Sequence, residues 1–331
     1  MNHSTFKSFT FGIGLFFTLP LVYGNSSSPS SSDGTLYINK SKTHKVAPVK
    51  YGFHYEEIGM MGEGALHAEL IRNRSFEEAT PPAGLSVKNG LYENVPAPRV
   101  KEKKVFQADP LIGWTTYPLS YTPVFISRTD ENPMSGENKY SMLVNVTEDI
   151  ANHPDALILN RGYYGMNLKT DTSYRLSLFL KNRNYSAPLR VFLVDEWGQR
   201  VSNVIEVNVG NRDWTKYTGE LKPEKNVRRG MFAIQPMSKG QFQIDVVSLF
   251  PSDTWNDGKS VFRKDIVQNL KEFSPSFIRF PGGCIVHGVN EETMYHWKKT
   301  LGPIENRPGQ WSKWAPYYRT DGIGYHEFYE L

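Results

Sequence analysis

A single cysteine, Cys284, stands in a chain of 331 residues, so no intramolecular disulfide can form and stability has to come from core burial. Long apolar runs are as scarce. The longest, from about Phe9 to Tyr23, is shorter than the ~20 residues a membrane-spanning helix needs and contains Pro20. Charge of one sign is scarce too. The formal net charge is +4, and the basic cluster at residues 99–104 is broken by Glu102 and reads as a solvated loop, not a nucleic-acid patch. There is no zinc-ligand spacing, no GxSxG elbow and no phosphate-binding loop. "HAEL" at residues 67–70 lacks the second histidine of a metalloprotease helix. No metal, cofactor or nucleic-acid partner is expected.

What is present is an ordinary globular composition, 39% hydrophobic and 22% charged, at a length that holds about two domains. Aromatic residues make up 13%, including 18 Tyr and 7 Trp, a richness shared with carbohydrate-handling proteins. The N-terminus carries Lys7, the apolar stretch and then Gly24. That is the layout of a secretory signal peptide over residues 1–24, so the expected location is secreted or periplasmic, with no membrane contact after cleavage. No cysteine follows it, which disfavours a lipid anchor. Residues 25–35 read as a Ser-rich linker.

Three textures follow. Residues 36–83 contain a strand-like "APVKYGFHYEEIG", a Gly-rich turn, and "ALHAELIRNRSFEE", where Leu66 and Leu70 at i, i+4 spacing predict a helix. Residues 84–250 alternate instead. Tyr140, Met142, Val144 and Val146 fall on one face of a strand, as do Tyr174, Leu176, Leu178 and Leu180, and again Phe242, Ile244 and Val246. Short strands between turn clusters predict an antiparallel β-sandwich of jelly-roll type. In residues 251–331 the helical period returns: Ile266, Val267, Leu270 and Phe273 share a face, "SPS" stops the helix, and "FIRF" predicts a short buried strand. The expected fold is therefore α/β plus all-β: the start of a (β/α)₈ barrel interrupted by an inserted sandwich. A barrel takes about 250 residues and eight strands, and the α/β portions here supply two or three.

Three stretches sit where chemistry would be expected. "FHYEE" offers Glu56 and Glu57, of which at most one faces a site, because neighbours on an extended segment point to opposite faces. Spacing alone reads the pair more readily as a cap or salt bridge. "RFPGGCIVHG" places Arg279 at a strand end, before a Pro-Gly-Gly turn that brings backbone close to a pocket. A third loop carries Tyr295, His296, Trp297, Trp311 and Trp314, each of which is either packing or a stacking platform for a sugar ring.

"YGFHYEEIGMMGEGALHAELIRNRSFEE", "VSLFPSDTW", "PSFIRFPGGCIVHG" and "YHWKKTLGPIENRPGQW" with "TDGIGYHEF" together closely resemble the α-L-arabinofuranosidases of glycoside hydrolase family 51. The resemblance is to the secreted type with a carbohydrate-binding-module-like sandwich near its N-terminus, and it covers essentially all of residues 49–331. "LNRGYYGM", with Asn160, Gly162 and Gly165, is similar to its family counterpart. The resemblance implies a catalytic (β/α)₈ barrel and retaining hydrolysis of terminal α-L-arabinofuranosyl groups in arabinan or arabinoxylan. In that reaction one glutamate attacks C1 and another protonates the leaving oxygen, with the carboxyls about 5–5.5 Å apart. Carried over by motif, Glu56 binds arabinose hydroxyls and Arg279 organises the subsite floor and orients the nucleophile. Cys284 stands where other branches have Asn and acts as a small wall residue. Trp311 or Trp314 forms a leaving-group platform.

The family's acid/base and nucleophile glutamates would both fall beyond Leu331. Asn290-Glu291 comes too early in the barrel to be the acid/base pair. The sequence thus predicts a C-terminally truncated portion that holds substrate-binding residues and neither catalytic carboxylate. Two other readings stay open: a non-catalytic carbohydrate-binding protein, with Trp114, Tyr117, Tyr121 and Trp197 of the sandwich as candidates for a binding face, and a related retaining endoglycanase.

Overall fold

Alternation between apolar and polar residues builds most of this molecule. The structure, a computed structural model, describes residues 51–79, 109–288, 291, 294–311 and 317–331, the backbone alone of 87–88, 91–93, 105–107 and 312, and positions 39, 41 and 45. The segments 1–24, 25–35 and 99–104, together with Asn290 and Trp314, lie outside the described residues.

The described part opens with strand β1 (Phe53–His54). Three short strands, β2 (Val87–Lys88), β3 (Leu91–Glu93) and β4 (Val105–Gln107), pair in an antiparallel sheet. The chain then runs through β5 (Trp114–Tyr117), β6 (Val124–Thr129), β7 (Ser141–Val146), β8 (Leu157–Asn160), β9 (Met166–Leu168) and β10 (Tyr174–Asn182). It continues through β11 (Pro188–Val194), β12 (Ile205–Asn208), β13 (Thr215–Leu221), β14 (Val227–Pro236) and β15 (Gly240–Pro251). These make two antiparallel sheets, ordered β13-β10-β15-β7-β6 and β12-β11-β14-β8-β5, with β9 on β14. One apolar core joins them. Val144, Leu178 and Ile244 from the first sheet meet Ile158, Val191 and Phe232 from the second.

The chain leaves the sheets through helix α1 (Lys264–Glu272) and enters β16 (Ile278–Arg279), which pairs in parallel with β1. A short α2 (Cys284–His287) follows, then the antiparallel pair β17 (Gln310–Ser312) and β18 (Tyr317–Arg319), and α3 (Tyr325–Glu330). A second apolar cluster, with Leu66, Phe262, Val267 and Phe328 at its centre, holds this part together, and Tyr55 and Phe280 pack against it.

The helix expected over residues 65–78 does not form beyond Leu66. One wide helical turn, Gly62–Leu66, is followed by extended and irregular chain. The cause is tertiary, since neighbouring strands take the backbone groups a helix would have paired internally. Arg263 N–H donates to the Leu66 carbonyl at 2.9 Å, Ala68 N–H to Val261 at 2.8 Å and Leu70 N–H to Leu249 at 3.0 Å, while Val247 N–H donates to the Arg74 carbonyl at 2.9 Å. Leu66 and Leu70 therefore part ways. Leu66 joins the second cluster and Leu70 packs against the core between the sheets.

Three further expectations are corrected. A β-bulge interrupts the β10–β15 register between Ser177 and Phe179, and Val246 sits at a φ of 41°. An extra residue flips the faces beyond it, so Val247 and Leu249, not Val246, join Phe242 and Ile244 in the core. "FIRF" is not buried: Ile278 is half-buried and Arg279 exposed, because β16 has only β1 beside it. On α1 only Val267 is buried, and Phe273 is 63% exposed with its ring edge-on to Phe53.

Candidate functional site

The β1–β16 pair sorts its side chains onto two faces. Beyond the register Phe53↔Ile278 and His54↔Arg279, the pairing continues as Tyr55 N–H donates to the Arg279 carbonyl at 2.8 Å and Glu57 N–H to the Pro281 carbonyl at 3.1 Å. Tyr55 and Phe280 pack on the cluster around Phe328. By alternation His54, Glu56 and Arg279 take the opposite face. His54 and Arg279 are exposed there and Glu56 is half-buried.

The Pro-Gly-Gly turn crosses that face. Gly282 has a φ of 144°, and a Cβ on it would lie 2.5 Å from Glu56 Cγ. Only glycine lets the backbone approach the carboxylate stem so closely. A Cβ on Gly283 would meet Arg279 Nη2 at 3.9 Å, Glu56 Oε2 at 4.0 Å and His54 Cε1 at 4.0 Å. A carboxylate, a guanidinium and an imidazole thus converge on one point of open backbone, and the exposed Cys284 follows as the first residue of α2. A carboxylate accepts and a guanidinium only donates, so together they can engage neighbouring hydroxyls on one polyhydroxy ligand.

The structure brings Glu56, Arg279 and Cys284 to one turn. Trp311 lies on β17 opposite Tyr318 and is buried. Of the sandwich aromatics, Trp114 is core, Tyr117 packs on the outer side of its sheet, and Tyr121 and Trp197 are exposed at 55% and 68%.

Behind the strand pair lies a buried polar cluster that spacing did not reveal. Glu57 accepts hydrogen bonds from the Tyr55 hydroxyl at 2.6 Å and from the Tyr317 hydroxyl. Glu63 accepts from Thr320 N–H at 3.0 Å and from its hydroxyl at 2.5 Å. Burial, and then the neighbouring Glu57 charge, push Glu63 up to about 7, against the opposing pull of Thr320 and Arg74. Burial and Glu57 also drive the Tyr55 and Tyr317 phenols well above their ordinary range, so both stay protonated as donors. Arg307 grips Glu327 through two bonds of 2.7 and 3.1 Å. The carboxyls of Glu57 and Glu63 are closed off by these donors and point away from the Glu56 face. Apart from Tyr55, their hydrogen-bond partners Tyr317 and Thr320 lie some 260 positions along the chain, and the local signal was the Gly62–Gly64 turn, where a Cβ on Gly62 would strike Glu57 and the Tyr55 hydroxyl. His54 was missed too, though it stands two residues before Glu56.

Among the described residues no group of three or more His, Cys, Asp or Glu side chains could hold a metal ion, and no helix is long and apolar enough to cross a membrane.

A sheet-rich chain thus presents a carboxylate and a guanidinium on one open strand face. Known proteins share much of its sequence and fold. Residues 269–331 match the "Alpha-L-arabinofuranosidase 1 domain" profile. Alpha-L-arabinofuranosidase 1 of Arabidopsis thaliana is 28% identical over 286 residues, which is 85% of this chain and 38% of the relative. An extracellular exo-alpha-L-arabinofuranosidase of Streptomyces chartreusis is 27% identical over 294 residues, 85% of this chain and 30% of the relative. An arabinose-bound α-L-arabinofuranosidase of glycoside hydrolase family 51 superposes with a TM-score of 0.70 at 25% identity, covering 88% of this chain and 43% of that one. Each of these similar proteins is named an α-L-arabinofuranosidase, and the solved one belongs to family 51. The chain spans about two fifths of the length of the first curated relatives it matches.

Proposed function

We propose that this chain forms the arabinofuranose-binding side of a retaining α-L-arabinofuranosidase acting on terminal, non-reducing arabinofuranosyl groups of plant cell-wall arabinan or arabinoxylan. The convergence of Glu56 and Arg279 on Gly283 carries the reading. Glu56 accepts from the sugar hydroxyls, Arg279 donates to them and forms the subsite floor, and the Cys284 thiol lines the wall where a larger group would crowd the ring.

In this reading β1, α1 and β16 are a β-α-β step of a (β/α)₈ barrel, supplied by residues 36–83 and 251–331. The two antiparallel sheets, within residues 84–250, are the jelly-roll, carbohydrate-binding-module-like sandwich inserted between the first two barrel strands. Residues 1–24 direct export and 25–35 link the leader to the fold. Retaining hydrolysis needs a nucleophile and an acid/base about 5–5.5 Å apart across the scissile bond. Glu57 and Glu63 do not fill those roles, being tied to Tyr55, Tyr317 and Thr320 on the far side of the strand. The chain's part in the reaction is to bind and orient the sugar.

The test is calorimetric titration of the full chain with α-1,5-arabinotriose, beside Glu56→Gln and Arg279→Ala. Losing a hydrogen bond to a charged group costs about 1.5–3 kcal/mol, so each substitution should weaken binding roughly tenfold or more. Unchanged affinity in both variants would refute the assignment. Stronger binding of a β-glucan trisaccharide than of arabinotriose would favour the endoglycanase reading.

A further inference from the structure

Buried oxygens without donors gather where the connection from β6 to β7 meets β15. Asn138, Gln243 and Asp245 are 1%, 0% and 0% exposed, and Asn138 Oδ1, Gln243 Oε1 and Asp245 Oδ2 have no hydrogen-bond partner. Buried polar atoms are nearly always paired. Turning the amides round does not supply the missing bonds. Asn138 Nδ2 donates to the Glu305 carbonyl, and Gln243 Nε2 donates to the Glu131 carbonyl at 2.8 Å and to Ser141 Oγ at 3.1 Å. A carbonyl only accepts, so each nitrogen is held in place and each amide oxygen is left over. Residues 138–141 tie the group together. Gln243 and Asp245 alternate on β15 ahead of its bulge and so share a face. The register Gln243↔Leu143 and Ile244↔Met142 sets Asp245 across from Ser141, the residue that Gln243 already touches. From the other side the buried Glu77 accepts from Lys139 N–H at 2.7 Å and from Tyr140 N–H at 2.9 Å.

The donor set selects the occupant. Asp245 Oδ1 accepts from Val246 N–H at 2.7 Å, and no cationic side chain bonds to this carboxylate among the described residues. Burial drives the Asp245 carboxyl well above its ordinary range, and the Glu77 charge adds to the shift against Val246 N–H and Arg74. The three unpaired oxygens are sealed from solvent, which excludes any ligand that has to approach along a groove. A bound water stands about 2.7–2.8 Å from an oxygen, whereas calcium sits about 2.3–2.6 Å from each of its ligands. Oxygen ligands without nitrogen or sulfur suit a hard cation. Magnesium keeps several waters and demands a near-ideal octahedron, while calcium accepts an irregular, water-poor shell. We propose that Glu77, Asn138, Gln243 and Asp245 hold one calcium ion, with backbone carbonyls of the adjoining turn completing its shell. Two carboxylates balance the charge and two amides supply neutral oxygens, so the site needs no third acidic ligand. The ion clamps β15 and the entry to β7 onto the end of the 65–78 segment, and this holds whichever sugar the Glu56 turn takes.

The experiment strips the full chain with EDTA and titrates it with calcium chloride alone, beside Asp245→Asn. Calorimetry should give one site with a Kd below about 1 mM. Saturating calcium should raise Tm by several degrees, and EDTA should reverse the rise. Asp245→Asn should bind at least about tenfold more weakly, because the charge count of the ligands sets the affinity. Without calcium this variant should melt at or above the temperature of the parent chain, since it removes an unpaired buried charge; a carboxylate with a purely structural role would give a lower Tm. Elemental analysis of the parent chain dialysed against calcium needs no variant and should find one calcium per chain. The proposal is overturned by a Tm that neither calcium nor EDTA moves, by magnesium matching calcium at equal concentration, or by a calcium response that Asp245→Asn keeps in full.

Discussion

Gly282 and Gly283 are neighbours with the same side chain, yet the structure assigns alanine different consequences at the two positions. At Gly282 the φ of 144° is a region L-residues rarely adopt, and the new Cβ would sit 2.5 Å from Glu56 Cγ and 2.9 Å from its Cβ and Cδ. Backbone strain of this kind costs about 1–3 kcal/mol. The Glu56 stem must also retreat by about an ångström to reach ordinary contact, which costs a comparable amount when packing resists. Gly282→Ala should therefore destabilise the chain by about 2–4 kcal/mol and lower Tm by several degrees. At Gly283 the φ of −102° is negative and the nearest atom lies 3.9 Å away, with a ψ of −82° just outside the helical region, so alanine should cost about 1 kcal/mol, clearly less than at Gly282. Its methyl would still stand at the point where Glu56, Arg279 and His54 converge, and arabinotriose affinity should fall about tenfold. Urea denaturation and calorimetric titration on both variants decide the matter. Equal destabilisation at the two positions, or full-affinity binding by Gly283→Ala, would refute the geometry of the turn.

Tyr317→Phe removes one of two hydroxyls that Glu57 accepts from; leaving a buried carboxylate short of a donor should cost about 1–3 kcal/mol in urea denaturation. The folded chain holds Glu63 at about 7 against an ordinary 4.5, so between those values the native state binds the extra proton. Stability should fall as pH rises from about 4.5 to about 7, and Glu63→Gln should flatten that part of the profile. Gly162→Ala places a Cβ 2.6 Å from the Leu70 carbonyl at a φ of 60°, and should lower stability by more than about 1 kcal/mol, seen as a lower Tm.

How much of this was legible depends on the range of the interaction. Alternation in "YSMLVNV" and "YRLSLFL" is a local property, and both segments became strands with the expected residues inward. The bulge at Val246 was not legible, because it answers to a backbone contact with Arg74 far off in sequence. The 65–78 segment misled for the same reason: its leucine spacing is helical, but its amides are claimed by residues 249 and 261. Glu56 and Arg279 were reached through motif resemblance, since spacing alone favoured a capping or paired role for the glutamates. The parallel register of β1 and β16 supplied the physical reason that Glu56 and not Glu57 takes the open face. The Glu57–Tyr317 pair had no sequence signature at all.

The misread segment also tells how the two parts of the molecule depend on each other. On one side Glu69 accepts from Leu249 N–H at 2.8 Å and from the Ser248 hydroxyl, and the Arg74 carbonyl accepts from Val247, all on β15. On the other side Ala68 and Leu66 bond to residues 261 and 263, next to α1, and Glu63 bonds to Thr320 beside β18. Glu63, Glu69 and Arg74 are all buried. Buried charges stay tolerable only while every partner is in place, and breaking such a set by removing one member typically costs about 3–5 kcal/mol. A binding module joined by a flexible linker has no such ties and can be lost without consequence. Here the strand carrying Glu56 leads, within a dozen residues, into a segment whose hydrogen bonds are divided between the sheets and the α/β part. The sheets are in this sense a wall of the site's own scaffold, and residues 49–331 cohere as one compact unit.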